Sequence, residues 1–151
     1  MPVLHEHSQH MSDDFDLNRF IDAQDSGGSY QQAAVELRSG LKQSHWMWFV
    51  FPQIAGLGHS SMAQRYAISG LAEARAYLHH PVLGRRLLDG VITLLNLPGS
   101  DPVAIFGSVD AQKLRSSMTL FSQADPLQQN FSEVITRYFN GEADMATIDL
   151  L

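Results

Sequence analysis

Four segments of this 151-residue chain carry residues whose types and spacing could do chemistry. The densest is His45-Trp46-Met47-Trp48-Phe49-Val50-Phe51-Pro52-Gln53, with both tryptophans and two of the eight phenylalanines inside six residues. Not all of those rings can point into one core, so one or two are expected to line a groove. An aromatic wall beside cations suits a flat ligand, since stacking is worth about 1–3 kcal/mol per base. His45 could move a proton near neutrality, against the plainer reading of a structural histidine on a dense core helix. Next comes Gly56-Leu57-Gly58-His59-Ser60-Ser61, glycines ahead of a helix start, where backbone N–H groups can face an anion. It lacks the spacing and the Lys-Ser/Thr pair of a phosphate-binding loop, and a simple interhelix turn explains it as well.

The third segment, His79-His80-Pro81-Val82-Leu83-Gly84-Arg85-Arg86, could grip a phosphate through its arginines. It is poor as a metal site, because Glu73 is the only carboxylate anywhere between residues 38 and 86. In the fourth, Lys113, Ser116 and Ser117 share a helix face at i, i+3 and i+4, with Asp110 one turn earlier. A cation plus hydroxyls suits sugar or phosphate oxygens, whereas hydroxyls bonding their own backbone would be the structural alternative. Asp110 is the second candidate for proton transfer. No nucleophile elbow supports a serine hydrolase, and the absence of cysteine excludes thiolate chemistry, disulfides and cysteine-ligated metals.

The elements that must position these residues are helical by period. Leu17, Phe20 and Ile21 mark a first helix closed at Ser26-Gly27-Gly28. Tyr30, Ala33, Ala34, Leu37 and Leu41 mark a second, with Ser29 as cap and Gly40 at its end. His45 to Phe51 is apolar all round and reads as buried helix or strand. Ser61 with Gln64 fits a capping box, Ala72 to Leu78 a short helix, and Pro81 the first turn of a helix reaching Leu95. Asp101-Pro102 opens a short turn ending at Gly107, and Asp110 is expected to cap the helix of Leu114, Met118 and Phe121. Asn130 with Glu133 repeats the box ahead of Phe131, Val134, Ile135, Tyr138 and Phe139, and Met145 to Leu150 closes the chain. The expectation is an all-α single domain over residues 12–151, with residues 1–11 as a flexible tail. His5, His7, His10 and Glu6 in that tail are too loosely arranged to predict a metal site.

Net charge is −6, unevenly spread. Residues 1–37 set one base against seven acids, residues 38–86 six bases against one acid, and residues 87–151 three bases against eight acids. A cationic block inside an acidic protein suits a compact anion, or else pairs with the outer acids on folding. It argues against a general nucleic-acid binder, which would be basic as a domain. No apolar run approaches the ~18 residues of a membrane span, and no basic-then-apolar start suggests a secretion signal. A cytoplasmic protein is expected.

Several words fall in order: Phe15-Asp16-Leu17 with Arg19, Phe20 and Gln24; His45-Trp46-Met47-Trp48 to Pro52-Gln53; Tyr66-Ala67-Ile68; His80-Pro81-Val82-Leu83-Gly84 with Arg86; and Lys113 followed by Ser116-Ser117-Met118-Thr119-Leu120-Phe121. In these words the chain resembles a family of uncharacterised, mainly helical bacterial proteins, sometimes mislabelled calpastatin, over residues ~15–150. The resemblance implies a helical single domain and brings no established activity, cofactor or catalytic residue. Its polar members exceed what a core requires. Several of Arg19, Gln24, His45, Gln53, His80, Arg86, Asp110, Lys113, Ser116 and Thr119 are therefore expected to converge on one pocket walled by Trp46 or Trp48. The expected function is a site for a small anionic, nucleotide-like or ADP-ribose-like ligand. The alternative is a protein-interaction module, or a homo-oligomer, packed through the aromatic segment.

Overall fold

In a computed structural model, which describes residues 13–151, the chain is all-α, and no strand occurs among the described residues. The expected 1–11 tail lies outside them. The helices are α1 (Asn18–Asp25), α2 (Ser29–Ser39), α3 (Met47–Val50), α4 (Ser61–Arg65), α5 (Leu71–His79), α6 (Leu83–Asn96), α7 (Pro102–Ala124), α8 (Gln129–Phe139) and α9 (Met145–Asp149). A 3-10 turn over Ser26–Gly28 links α1 to α2.

Helices α5 to α8 form the main body, with α7 against α8 and α5, and α6 against α8 and α5. Their apolar stripes meet along a chain of rings. Phe20 of α1 abuts Tyr77 of α5 at 5.1 Å, Tyr77 abuts Phe121 of α7 at 5.4 Å, and Phe121 abuts Phe131 of α8 at 5.8 Å. Aromatic pairs at such spacings add to plain area burial. No helix among the described residues is long and apolar enough to cross a membrane.

The helix ends differ from expectation in an instructive way. The first turn of α4 is capped by Ser60, whose Oγ accepts from Ala63 N at 3.1 Å, while Gln64 reaches back to the carbonyl of His59 at 3.0 Å. The cap is therefore Ser60 and not Ser61, and Gln64 closes no capping box, because its amide donates to a carbonyl instead of accepting from the cap N–H. Ser29 is not the cap of α2; Gly28 occupies that position with φ 71°, and Ser29 donates back to Ser26 O. Pro81 stands in the turn ahead of α6, which begins at Leu83, and His80 serves the N–H groups there: its Nδ1 accepts from Val82 N at 3.1 Å and Leu83 N at 3.2 Å. Asp110 caps nothing. Helix α7 runs from a true cap at Asp101 through the expected break, kinking at Gly107 (φ 78°, ψ 165°), so Asp110 stands mid-helix. Gln128 rather than Asn130 caps α8.

The segment between α2 and α5 builds one side of the site. The His45–Phe51 stretch folds as the single turn α3, buried at Met47, Phe49 and Val50. Beyond Pro52 the chain makes one parallel bridge, Ala55 N to Ile68 O and Ile68 N to Gln53 O, both 2.8 Å. Gly58 then passes so close to α4 that a Cβ on it would lie 2.6 Å from the Ala63 Cβ. Only glycine lets that loop close without displacing α4.

Candidate functional site

A cleft of about 460 Å³ opens between this segment, α7 and the start of α9. Trp48, Gln53 and Tyr66 line one side, and Gln112, Lys113 and Ser116 come from α7. Asp144, the cap residue of α9, lines it as well.

Trp48 is half-buried, with the Lys113 ammonium 4.8 Å from its ring centroid. Lys113 is only loosely held by its helix neighbour, Nζ to Asp110 Oδ1 at 3.5 Å, since Asp110 is committed more closely to Lys42 at 2.8 Å. A long flexible ammonium so placed can turn toward an anion without breaking a strong pair. Ser116 Oγ donates to Asp144 Oδ2 at 2.7 Å, and Thr147 Oγ1 donates to the same oxygen at 2.6 Å. The Asp144 N–H in turn donates to Thr119 Oγ1 at 2.9 Å. Arg115 pins the approach to Asp144 by donating to the carbonyls of Glu142 at 2.7 Å and Ala143 at 3.0 Å. Burial alone would raise the Asp144 pKa, but the Thr147 and Ser116 hydroxyls and the Arg115 charge outweigh it and hold the carboxyl below its ordinary value. At neutral pH the cleft thus holds a fixed carboxylate at the start of α9 and a movable ammonium on α7.

Of the residues expected to converge, Trp48, Gln53, Lys113 and Ser116 do so, and Thr119 stands directly behind them on Asp144. The others do different work. Arg19 spends its donors on the carbonyls of Arg65, Phe15, Asp16 and Ala67 and on Glu73, in five bonds of 2.7–2.9 Å. Gln24 is buried, its amide donating to Phe49 O at 2.7 Å and its carbonyl accepting from Arg86. Arg86 also pairs with Asp25 at 2.9 Å and lies over the Tyr30 ring, so it is a structural cation rather than a phosphate grip. His80 serves the helix start described above. Burial lowers its pKa, which suits a ring that must offer a bare Nδ1.

Trp46 does not wall the cleft. It is 1% exposed, and its indole N–H donates to Glu36 Oε1 at 2.9 Å. The two proton-transfer candidates, His45 and Asp110, are not among the cleft-lining residues, His45 being exposed and Asp110 lying between two lysines. Among the described residues no cluster of three or more His, Cys, Asp or Glu could hold a metal ion.

Asp144 is the residue that reading by segments missed. It follows Gly141-Glu142-Ala143 in a short polar connection, and its partners stand 25 and 28 positions away on α7. The one local signal was the Asp144-to-Thr147 spacing of a helix start.

Comparison with known proteins agrees with the fold and names no activity. A family model described as a protein of unknown function, DUF1810, matches residues 14–151. A crystal structure of the conserved hypothetical protein Rv1873 from Mycobacterium tuberculosis is 47% identical, superposes with a TM-score of 0.88, and covers 91% of this chain and 96% of its own. No curated protein matches. With nearly all of its described length accounted for by one family model, the chain belongs to the DUF1810 family.

Proposed function

We propose that the cleft binds a small, flat, anionic ligand of nucleotide-like or ADP-ribose-like chemistry. The observation that carries this reading is the pairing of a half-buried Trp48 with a loosely held Lys113 on the wall of a cavity large enough for a nucleotide. Clefts of roughly 300–1,000 Å³ with mostly apolar walls and a few convergent polar groups are the usual form of small-molecule sites. Ile54, Leu57, Ala63 and Ala146 supply the apolar wall; Gln53, Lys113, Ser116 and Asp144 supply the polar groups. The interaction-module alternative has less surface to work with. Trp46, Met47, Phe49, Val50 and Phe51 are all buried in the chain's own core, leaving Trp48 as the partly exposed ring of the aromatic segment.

The test is a thermal-shift screen against nucleotides, ADP-ribose, sugar phosphates and short oligonucleotides, repeated on Trp48→Ala and Lys113→Ala. A ligand at about 100-fold its dissociation constant adds roughly 2.7 kcal/mol. The expected result is a shift with nucleotides that both substitutions abolish. Silence across the panel, or a shift that survives both substitutions, would overturn the reading.

A further inference from the structure

We propose that residues 145–151 are a strap that opens and closes the cleft, hinged at Asp144 and lifting at its Leu150 end. Such a strap controls entry to the cavity whatever ligand the cavity takes.

The segment touches both walls of the cleft. Asp144 and Ala146 line the cavity, and α9 packs against α7. At the other end Leu150 reaches Gly56, whose loop continues into Leu57 and Gly58, two further lining residues. A Cβ on Gly56 would lie 3.3 Å from Leu150 Cδ2, so the leucine packs directly on the glycine. The strap therefore crosses from α7 to the wall that carries Trp48.

The two ends are held very differently. Asp144 is 8% exposed, its carboxylate accepts from Ser116, Thr147 and the Ala146 backbone, and its own N–H donates to Thr119 Oγ1. Arg115 adds two bonds from α7 to the carbonyls just ahead, those of Glu142 and Ala143. Bonds in which one partner is ionised are the stronger kind, so this end is an anchor. Beyond it, among the described residues, no hydrogen bond or ion pair joins residues 145–151 to another element. The N–H groups of Ile148, Leu150 and Leu151 all donate to carbonyls within residues 144–148, and Thr147 Oγ1 donates back to Asp144. Thr147 is also the one buried residue of the seven, and Leu150 is 47% exposed. An element with one anchored end and little buried contact at the other opens locally without unfolding the core it leaves.

Acrylamide quenching of Trp48 emission tests this in the Trp46→Phe chain, where Trp48 is the sole tryptophan. Leu150→Asp in that background removes the apolar contact at Gly56. The quenching constant should rise at least about twofold, as a larger open population exposes the ring, with the circular dichroism of the parent retained. Leu127→Asp, at a leucine 92% exposed and outside the cleft lining, should leave the quenching unchanged. Hydrogen exchange of the unmutated chain reads the hinge: the Asp144 amide should exchange at least about tenfold more slowly than those of Leu150 and Leu151. Unchanged Trp48 quenching in Leu150→Asp would overturn the proposal, and so would an Asp144 amide that exchanges as fast as that of Leu151. The exchange comparison is decisive even if Leu150→Asp fails to fold. Neither measurement uses a ligand, so a silent ligand screen and a rigid strap are separate failures.

Discussion

Two tryptophans stand two residues apart, each with a lysine over its ring, and they do opposite work. Lys42 lies 5.1 Å from the Trp46 ring and Lys113 lies 4.8 Å from the Trp48 ring, with Asp110 between the two ammonium groups. Around Trp46 every polar group is used. Glu36, 3% exposed, accepts from the backbone of Gln43 and Ser44, from the Trp46 indole, and from the side chains of Ser44 and Gln32, all within 2.6–2.9 Å. Around Trp48 the tether is looser: Lys113 stands 3.5 Å from Asp110 and has no closer ion-pair partner among the described residues. A saturated polar cluster holds the fold, and an unsaturated one beside a cavity is where a ligand can complete it.

Glu36→Ala is the largest way to break the saturated side. It strands two backbone N–H groups, an indole and a hydroxyl, and should cost ~3–5 kcal/mol in urea unfolding, the range for uncompensated buried groups. Acid tests the same knot without removing it. Burial pushes the Glu36 pKa up, but the bonds from Ser44, Gln43 and Gln32 win and bring it down to about 2. A folded-state pKa below the unfolded value contributes stability above the unfolded value, 4.5, that is lost as pH falls toward about 2. Stability should therefore decline through that window, and Glu36→Gln should flatten the decline. An unaltered acid limb in Glu36→Gln would mean that other carboxylates set it.

The same substitution at the two tryptophans sharpens the contrast. Trp46→Phe removes the indole donor and part of a sealed core, and should cost about 1–2 kcal/mol. Trp48→Phe, on the cleft wall, should stay within about 0.5–1 kcal/mol of the parent. Equal costs would mean that Trp48 is a core residue too.

The helical character of α7 was legible in the sequence, because apolar residues at helical spacing leave few other ways to bury a face, whereas His45 to Phe51, apolar all round, read equally as helix or strand. The Lys113–Ser116 face was legible for the same reason. What could not be read was which polar residues were already spent. Arg19, Arg86 and His80 have the composition of an anion site, but the arginines reach partners in other helices and His80 is spent on the N–H groups at the start of α6. Trp46 and Trp48 differ only in which side of a single turn each occupies, and that is set by where Glu36 and Lys113 arrive from α2 and α7. Asp144 became visible only once α7 stood beside the last turn of the chain. The cap positions slipped by a residue or two because Ser60, Gly28 and Gln128 compete locally with the neighbours that composition favours.

The central claim is that a ligand enters beside Trp48, and Trp46→Phe makes Trp48 the sole tryptophan of the chain. Titrating that variant with the nucleotide that gives the largest thermal shift, while following its emission, places the ligand directly. The account predicts a saturable change in intensity or wavelength whose midpoint matches the dissociation constant measured by calorimetry with the same nucleotide. Binding seen by calorimetry with the Trp48 emission unmoved, or no binding at all, would contradict it.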